Sequence, residues 1–342
     1  MKQIRVRFIT NFPLSIVYGG FEHQCVQTCL ALKSIGIDAE LLDWHGTDKE
    51  DFILHLFAPD PMWARIVEHW GHRGPVIISA IAATPGFKVK SYLLSKYFSQ
   101  IAKQVRRETI YSRTYALLHR VDKIICINRL EQDYFIKYYD LPLEKTVVIS
   151  HGVDETRYST PANIFSGKFG LSGFVLYVGN IIKRKNPLLL AECLNEMGLT
   201  GVFIGQPMST EVEYGKIFEN LVEKSPNLTW IPSFDYNDPL LSSAFSAAKA
   251  LCLPSDSETQ PVVALEAMAA GTTVILGDYP YAYQTPFENT IKVDPADKEQ
   301  IKAAILKAVT ENPFIVEKLS PEYDWKKIAE KLVEVYSQIL NK

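Results

Sequence analysis

The sequence predicts an α/β protein of two domains, and three observations support this prediction. The 342 residues are about twice the length of a typical domain. Short apolar runs recur along the chain and alternate with segments of helical periodicity, which is typical of parallel β–α–β units. Residues 155–173 are rich in Gly, Ser, Pro and Asn, so we interpret them as a linker between the domains. We therefore predict domains at 1–154 and 155–323.

The first domain opens with an alternating run, Ile4–Ile9, that predicts a strand. A helix ends near Ile35, where Gly36 provides a C-cap. The remaining strands are predicted at Asp38–Asp43, Phe52–Phe57, Val76–Ile81, Lys123–Ile127 and Thr146–Ser150. Residues 88–120 predict one or two helices, and Arg129–Tyr139 predicts another.

The second domain repeats this order of strands and helices. Its strands are predicted at Phe174–Gly179, Gly201–Gly205, Leu228–Ile231, Ala250–Leu253 and Thr273–Leu276. The segment Pro187–Met197 predicts a helix with Pro in its first turn. Residues 296–310 and 324–340 predict two further helices, of which the last is amphipathic.

One stretch, residues 254–271, carries the strongest functional signal. It follows the predicted strand Ala250–Leu253, turns helical after Pro261 and ends at Gly271. Glu258 lies in the loop, and Glu266 lies eight positions later, about a turn inside the helix. Open α/β sheets bind ligands at the carboxyl ends of their strands, and a helix N-terminus attracts phosphate. We therefore expect an anionic ligand at this loop.

Two further loops have the same strand–loop–helix setting. Gly19 and Gly20 precede the first helix, where glycine lets a ligand approach the backbone closely. Residues 180–186 contain Lys183, Arg184 and Lys185 and precede the helix that begins at Pro187. A basic loop at a helix N-terminus is suited to a diphosphate.

These motifs resemble those of retaining glycosyltransferases of family four, which belong to the two-Rossmann-domain (GT-B) class. Glu258 and Glu266, with Glu-Ala-Met-Ala-Ala-Gly at the second, resemble the E-x7-E motif of that family. The segment Gly19-Gly20-Phe21-Glu22 resembles its GG-x-E loop. His151-Gly-Val-Asp154 resembles its N-G-V-D segment, with His in place of Asn. The basic loop resembles its G-R-x4-K-G segment, with Asn180 at the Arg position.

The resemblance implies two Rossmann-like domains facing a cleft, with a last helix (324–342) that crosses back to the N-terminal domain. It implies a retaining, metal-independent transferase of hexosyltransferase type that needs no cofactor beyond its donor, a UDP- or GDP-sugar. The acceptor would be a glycan or a lipid-linked molecule in bacterial cell-envelope polysaccharide or glycoconjugate synthesis. The chain contains no Asp-x-Asp motif, so we expect no metal site.

The resemblance also implies roles for individual residues. Lys185 would neutralise the departing diphosphate, and Glu258 would orient the donor sugar; both are predicted catalytic residues. Glu266 would accept hydrogen bonds from the ribose. The predicted nucleotide-sugar contacts are Gly19, Gly20, Asn180, Arg184, Lys185, Glu258, Thr259, Gln260, Val262 and Glu266. Because Ile81 and Ala82 stand where the family carries a His, we consider His55 as a third catalytic residue, with a buried structural His as the alternative.

Composition excludes several other classes. The net charge of −3 argues against a nucleic-acid partner. Five cysteines, without a CxxC pair, indicate buried thiols in a reducing compartment. No signal peptide or apolar run of about 18 residues is present, so we expect a cytoplasmic protein. Residues 88–120 carry eight Lys and Arg but one acid, Glu108, which suits either the inner face of an anionic membrane or an ordinary solvated helix face.

Two other interpretations stay open at this point. The loss of the family His and Arg is compatible with a non-catalytic nucleotide-sugar-binding protein of the same fold. A nucleotide-sugar 2-epimerase would need acid and base side chains in the cleft, and the His-poor first domain argues against it.

Overall fold

The structure is a computed structural model that describes residues 4–11, 20–46, 51–81, 94, 96–99, 101, 108–154, 156–234, 238–311 and 319–341. The chain divides into two compact units. The first unit comprises Met1–Gly152 and Pro321–Lys342, and the second comprises Val153–Ser320.

A six-stranded parallel sheet forms the centre of the first unit, with its strands in the order β2-β1-β3-β4-β5-β6. The strands are β1 (Arg5–Ile9), β2 (Asp38–Leu41), β3 (Ile53–Phe57), β4 (Val76–Ser79), β5 (Lys123–Cys126) and β6 (Thr146–Val148). Its helices before the second unit are α1 (Gly20–Ser34), α2 (Ala64–Trp70), α3 (Ile110–Arg120) and α4 (Arg129–Tyr139). Every residue of β3 and of β4 is buried, as expected for central parallel strands covered on both faces.

The second unit contains another six-stranded parallel sheet, in the order β12-β11-β10-β7-β8-β9. Its strands are β7 (Val175–Val178), β8 (Gly201–Ile204), β9 (Leu228–Ile231), β10 (Ala250–Leu253), β11 (Thr273–Gly277) and β12 (Ile291–Val293). Its helices are α5 (Asn163–Phe169), α6 (Pro187–Met197), α7 (Val212–Glu223), α8 (Pro239–Ala247), α9 (Val262–Ala269) and α10 (Lys298–Thr310). The strands β7 and β10, which lead into the two predicted ligand loops, lie side by side.

The last helix, α11 (Trp325–Leu340), belongs to the first unit although it follows the second in the chain. It begins at Asp324, whose carboxylate accepts a hydrogen bond from the Lys326 N–H as an N-cap. Its apolar face, including Ile328 and Leu332, is buried in the same hydrophobic core as Leu32 of α1. The predicted return of the last helix to the N-terminal unit is therefore confirmed.

The α/β fold class and its parallel strands are confirmed, but two local predictions fail. The short edge strand β12 was missed. Residues 155–173 were interpreted as a linker, whereas α5 lies within this segment and its Phe165 is fully buried in the second unit. Several glycines gave this segment its linker-like composition. One of them, Gly170, is the C-cap of α5 and has a left-handed conformation (φ = 67°).

Only part of the basic segment 88–120 falls within the described residues. Residues 96–99 are helical, and α3 covers 110–120. Thr109 caps α3, because its hydroxyl accepts a hydrogen bond from the Ser112 N–H. In the part of the chain that the structure describes, no helix combines the length and the apolar character needed to cross a bilayer.

Candidate functional site

The loop between β10 and α9 has the predicted strand–loop–helix–strand setting. All four residues of β10 are buried between β7 and β11, so the loop emerges from the middle of the sheet. Pro261 stands at the N-cap of α9 in an extended conformation. Ser255 is fully buried, and its carbonyl accepts a hydrogen bond from the Tyr281 hydroxyl at 3.1 Å. The start of the loop is therefore held by the core, whereas the part around Glu258 reaches the surface.

Glu258 lies at the centre of a cluster of charged side chains. Lys185 Nζ donates a hydrogen bond to Glu258 Oε1 at 2.6 Å, and Arg184 Nη1 lies 3.3 Å from the same oxygen. The Ser255 hydroxyl donates to this oxygen at 3.1 Å. The side chains of Glu258 and Lys185 are only 11% and 15% exposed. A carboxylate with so little solvent contact needs such compensation, and the two cations supply it.

The basic loop is joined to the Glu258 loop by backbone hydrogen bonds as well. The Asp256 N–H donates to the Arg184 carbonyl at 2.9 Å, and the Arg184 guanidinium donates to the Ser257 carbonyl. Lys183 and Arg184 are the two candidates for the positive charge that is lost where Asn180 replaces the family Arg. Lys183 is exposed, and its N–H donates to the Glu211 carboxylate at 2.6 Å. Arg184 is the candidate that lies beside Glu258.

The backbone beneath the basic loop depends on two glycines that follow β7 and β8. A Cβ added at Gly205 would lie 1.9 Å from the Gly179 carbonyl oxygen, so only glycine permits this approach. Both residues have φ near +150°, which also favours glycine. The Tyr177 hydroxyl then donates to the Asn180 carbonyl at 2.8 Å. This hydrogen bond fixes the backbone at Asn180, whose side chain is exposed.

Burial and neighbouring charges change the ionisation of several groups beside the cluster. Burial, with the nearby Glu258 carboxylate, raises the pKa of Tyr177 and of Tyr281 well above the usual range. Both phenols therefore stay neutral and act as hydrogen-bond donors to backbone carbonyls. Burial raises the pKa of Asp256, and the positive charge of Arg184 partly opposes this change.

Glu266 lies on α9 and is only 6% exposed. Its Oε1 accepts a hydrogen bond from the hydroxyl of Tyr158, which is itself 1% exposed. Tyr158 was not among the predicted site residues, although it follows the His151–Asp154 segment by four positions. Among the other predicted contacts, Gln260 is buried, whereas Thr259 and Val262 are half-buried. These residues form the short segment that joins the Glu258 loop to α9.

The predicted residues of the first unit have different surroundings. Gly20 is the exposed first residue of α1, and Gly19 lies outside the described residues. His55 is fully buried on β3: its Nδ1 lies 2.8 Å from the Tyr336 hydroxyl and its Nε2 lies 2.8 Å from the Ser79 hydroxyl. Burial lowers the pKa of His55 to about 3. A neutral, fully buried imidazole with both ring nitrogens hydrogen-bonded supports the structural alternative for His55.

The described residues also bear on metal and thiol chemistry. In these parts of the chain, no group of three or more His, Cys, Asp or Glu side chains is placed to hold a metal ion. The five cysteines are free and buried. Burial raises the pKa of Cys25, Cys126 and Cys252 well above the usual range, so these thiols stay protonated.

Comparison with known families bears on the second unit in particular. Residues 164–333 match the family described as Glycosyl transferases group 1. The matched stretch, called the group 1 segment below, covers just under half of the chain. It contains the basic loop, the Glu258 loop and α9, and it extends into α11. The group 1 segment therefore includes every charged residue of the cluster around Glu258.

One curated relative is the D-inositol 3-phosphate glycosyltransferase of Geodermatophilus obscurus. It is 24% identical over an alignment of 239 residues that covers 63% of this chain and 52% of the relative. The match thus spans about half the length of that relative.

Solved structures resemble the chain over nearly its whole length. Sucrose-phosphate synthase from Thermosynechococcus elongatus has a TM-score of 0.77 at 17% identity, covering 99% of this chain and 100% of that one. Alr3699/HepE from Anabaena, in complex with UDP and glucose, has a TM-score of 0.66 at 16% identity, covering 98% and 100%. These likenesses show the fold, which is that of glycosyltransferases with two Rossmann-like domains.

Proposed function

We propose that the protein is a glycosyltransferase that moves a sugar from a nucleotide-sugar donor to an acceptor, and that its second unit binds the donor. The observation that carries this proposal is the cluster of Glu258, Lys185 and Arg184, which lies where β7 and β10 lead into α6 and α9. Two cations and two helix N-termini at one edge of a parallel sheet suit a diphosphate. The cluster also lies within the group 1 segment.

The cations have a clear task in such a transfer. Negative charge builds on the diphosphate as the sugar departs, and fixed positive charge lowers the energy of that transition state. In this proposal Lys185 and Arg184 supply that charge, and the reaction needs no metal ion. Arg184 takes over the role that the resemblance assigns to an Arg at position 180, where this chain has Asn.

The two glutamates have separate tasks in this proposal. Lys185 contacts both Glu258 and the incoming diphosphate. The Glu258 carboxylate therefore lies beside the donor sugar and orients its hydroxyls. Glu266 accepts hydrogen bonds from the ribose. The backbone N–H groups of Thr259, Gln260 and Val262, in the segment where α9 begins, contribute to binding of the sugar or diphosphate, whereas Pro261 has no N–H to donate. We infer retention of anomeric configuration from the resemblance of the Glu258–Glu266 segment to retaining enzymes.

The donor and acceptor follow from chemistry and from the relatives. UDP and glucose are bound in the structure of Alr3699/HepE, which supports a UDP-sugar here, with a GDP-sugar as the second choice. We propose a glycan or lipid-linked acceptor in the synthesis of a bacterial envelope polysaccharide or glycoconjugate, reached from the cytoplasmic side.

We further propose that residues 88–120 attach the protein to the inner face of the membrane. Within the described part of this segment, Tyr97 and Phe98 are 58% and 59% exposed. Lys96 and Arg113 are paired with Asp140 and Glu108, an arrangement that an ordinary solvated helix face would also show. Flotation with vesicles of phosphatidylglycerol and of phosphatidylcholine decides between them. Replacement of Arg106, Arg107 and Arg113 by Gln should reduce binding to the anionic vesicles only.

A donor screen tests the main proposal. The protein is incubated with UDP-, GDP- and ADP-sugars and a mixed glycan acceptor, and free nucleotide is measured. One donor should release nucleotide, and proton coupling constants of the product should show the anomeric configuration of the donor. A rise in melting temperature with nucleotide, but no release from any donor, would indicate the non-catalytic binder. Conversion of the donor sugar to its C2 epimer would indicate the epimerase.

A further inference from the structure

Tyr158 is the unexpected neighbour of Glu266. Its hydroxyl donates a hydrogen bond to Glu266 Oε1 across 108 positions of sequence. The Tyr158 ring packs edge-on against Phe245 of α8, with ring centroids 5.5 Å apart. Because the phenol is 1% exposed, water does not compete for this hydrogen bond. A hydrogen bond from a neutral donor to a buried carboxylate is among the stronger kinds.

The backbone on both sides of Tyr158 is tied to the rest of the second unit. The Tyr158 N–H donates to the Asp154 carbonyl at 3.3 Å. Farther along, the Ser242 hydroxyl donates to the Thr160 hydroxyl at 3.0 Å, and the Ser243 hydroxyl donates to the Pro161 carbonyl at 2.6 Å. Ser242 and Ser243 are buried on α8. The phenol is thus held by a fixed segment rather than by a mobile loop.

We propose that Tyr158 is a positioning residue that orients the Glu266 carboxylate for the ribose of the nucleotide. This inference rests on the proposed function, since the ribose contact is part of it. A carboxylate on a helix can rotate about its side-chain bonds, and a hydrogen bond to one oxygen removes that freedom before the ligand arrives. Such pre-organisation strengthens the bond between the carboxylate and a ribose hydroxyl more than it strengthens any other contact of the nucleotide.

The test measures how well the protein distinguishes ribose from deoxyribose. Titration calorimetry with UDP, GDP and ADP first identifies the nucleotide that binds wild-type protein. The same nucleotide lacking the 2′ or the 3′ hydroxyl is then titrated against wild type, Tyr158→Phe and Glu266→Gln. Tyr111→Phe is the matched control, because it also removes one hydrogen-bonded tyrosine hydroxyl, but from the first unit.

Wild-type protein should bind the ribonucleotide more tightly than the deoxynucleotide. Tyr158→Phe should weaken binding of the ribonucleotide about tenfold, and should change binding of the deoxynucleotide about threefold or less. Glu266→Gln should lose the preference as well, and Tyr111→Phe should keep it. Equal losses for both nucleotides would mean that Tyr158 only stabilises the unit, which would overturn the inference. Unchanged binding by Tyr158→Phe would overturn it too, with the proposed function intact. Failure of wild type to bind any of the nucleotides would overturn the proposed function itself.

Discussion

Two ionisable groups with little solvent contact, His55 in the first unit and Glu258 in the second, are compensated in opposite ways. In the first unit, His55 is fully buried between two neutral hydroxyl groups, those of Tyr336 and Ser79. In the second, the carboxylate of Glu258 is paired with Lys185, and both side chains keep some contact with solvent. The His55 imidazole is neutral and fully buried, so it cannot contact a ligand directly. In a partly exposed ion pair, the cation can bind an anionic ligand in place of its carboxylate partner. A diphosphate is such a ligand.

Burial and the charge of the neighbouring groups indicate the role of an ionisable side chain better than its residue type does. A histidine on a strand and a glutamate in a loop are both plausible catalytic residues in a sequence. Burial lowers the pKa of His55 to about 3, so the imidazole carries no charge to use near neutral pH. Glu258 is compensated by Lys185 and Arg184, two cations that keep some contact with solvent. We therefore expect changes in the first network to affect stability and changes in the second cluster to affect turnover.

The largest expected effect is a loss of stability in mild acid. Burial lowers the pKa of His55 to about 3 and that of His151 to about 4, whereas an unfolded His has a pKa near 6.5. The unfolded chain therefore binds more protons below pH 6.5. The two residues contribute stability that is fully present above that pH and is lost as the pH falls toward 4.

Urea unfolding at pH 7 and pH 5 measures this effect. Since each pKa unit corresponds to about 1.4 kcal/mol, the pair should lower the free energy of unfolding by roughly 4 kcal/mol at pH 5. Replacement of His72, which is exposed, by Gln should leave the pH dependence unchanged. Equal stability at both pH values would show that these imidazoles are not buried as neutral groups.

His55→Ala is expected to lower the free energy of unfolding at pH 7 by about 3 kcal/mol, because it leaves a cavity and removes a partner from two buried hydroxyls. Tyr336→Phe removes only one of these hydrogen bonds and should cost about 1 kcal/mol. Turnover per folded molecule should not change in either variant. A stable His55→Ala protein that has lost its activity would restore His55 as a catalytic candidate and would remove the contrast between the units.

Lys185→Ala is expected to lower turnover by a factor on the order of 10², which corresponds to about 2.7 kcal/mol of transition-state stabilisation. Lys183→Ala is the matched control, because Lys183 lies in the same loop and is exposed. It should keep nearly wild-type turnover. Steady-state release of nucleotide from the donor measures both. If the two variants lose the same activity, the loop contributes only general positive charge, and the specific role of Lys185 is lost.

Local patterns predicted most of the fold. The apolar run Ala250–Leu253 is a buried strand with the predicted bounds, because a central parallel strand needs apolar residues on both faces. The edge strand Ile291–Val293 was missed, since three residues with a Lys in the middle carry no periodicity. The linker interpretation failed because glycine and serine also serve as caps and helix contacts, as Gly170 and Ser166 do around α5.

The composition of the site could be predicted, but its contacts could not. Glu258 and Lys185 were selected from the resemblance of their loops to a known family. Their hydrogen bond joins residues 73 positions apart, and it depends on β7 and β10 being neighbours in the sheet. Tyr158 reaches Glu266 over a still longer distance in sequence, from a segment that was interpreted as a linker. Hydrophobic periodicity and motif spacing in a sequence do not predict contacts that depend on the order of strands in the sheet.

The smallest expected effect on catalysis concerns Arg184. Its guanidinium is 43% exposed and lies 3.3 Å from Glu258, so water already screens part of its charge. Arg184→Ala should lower the ratio kcat/KM for the donor about tenfold, less than the loss in Lys185→Ala. Arg184→Lys keeps the charge but cannot keep the fork-shaped set of donors, so it should recover only part of this loss. Wild-type kinetics in Arg184→Ala would mean that Lys185 alone compensates the diphosphate. Arg184 would then not replace the family Arg whose position Asn180 occupies.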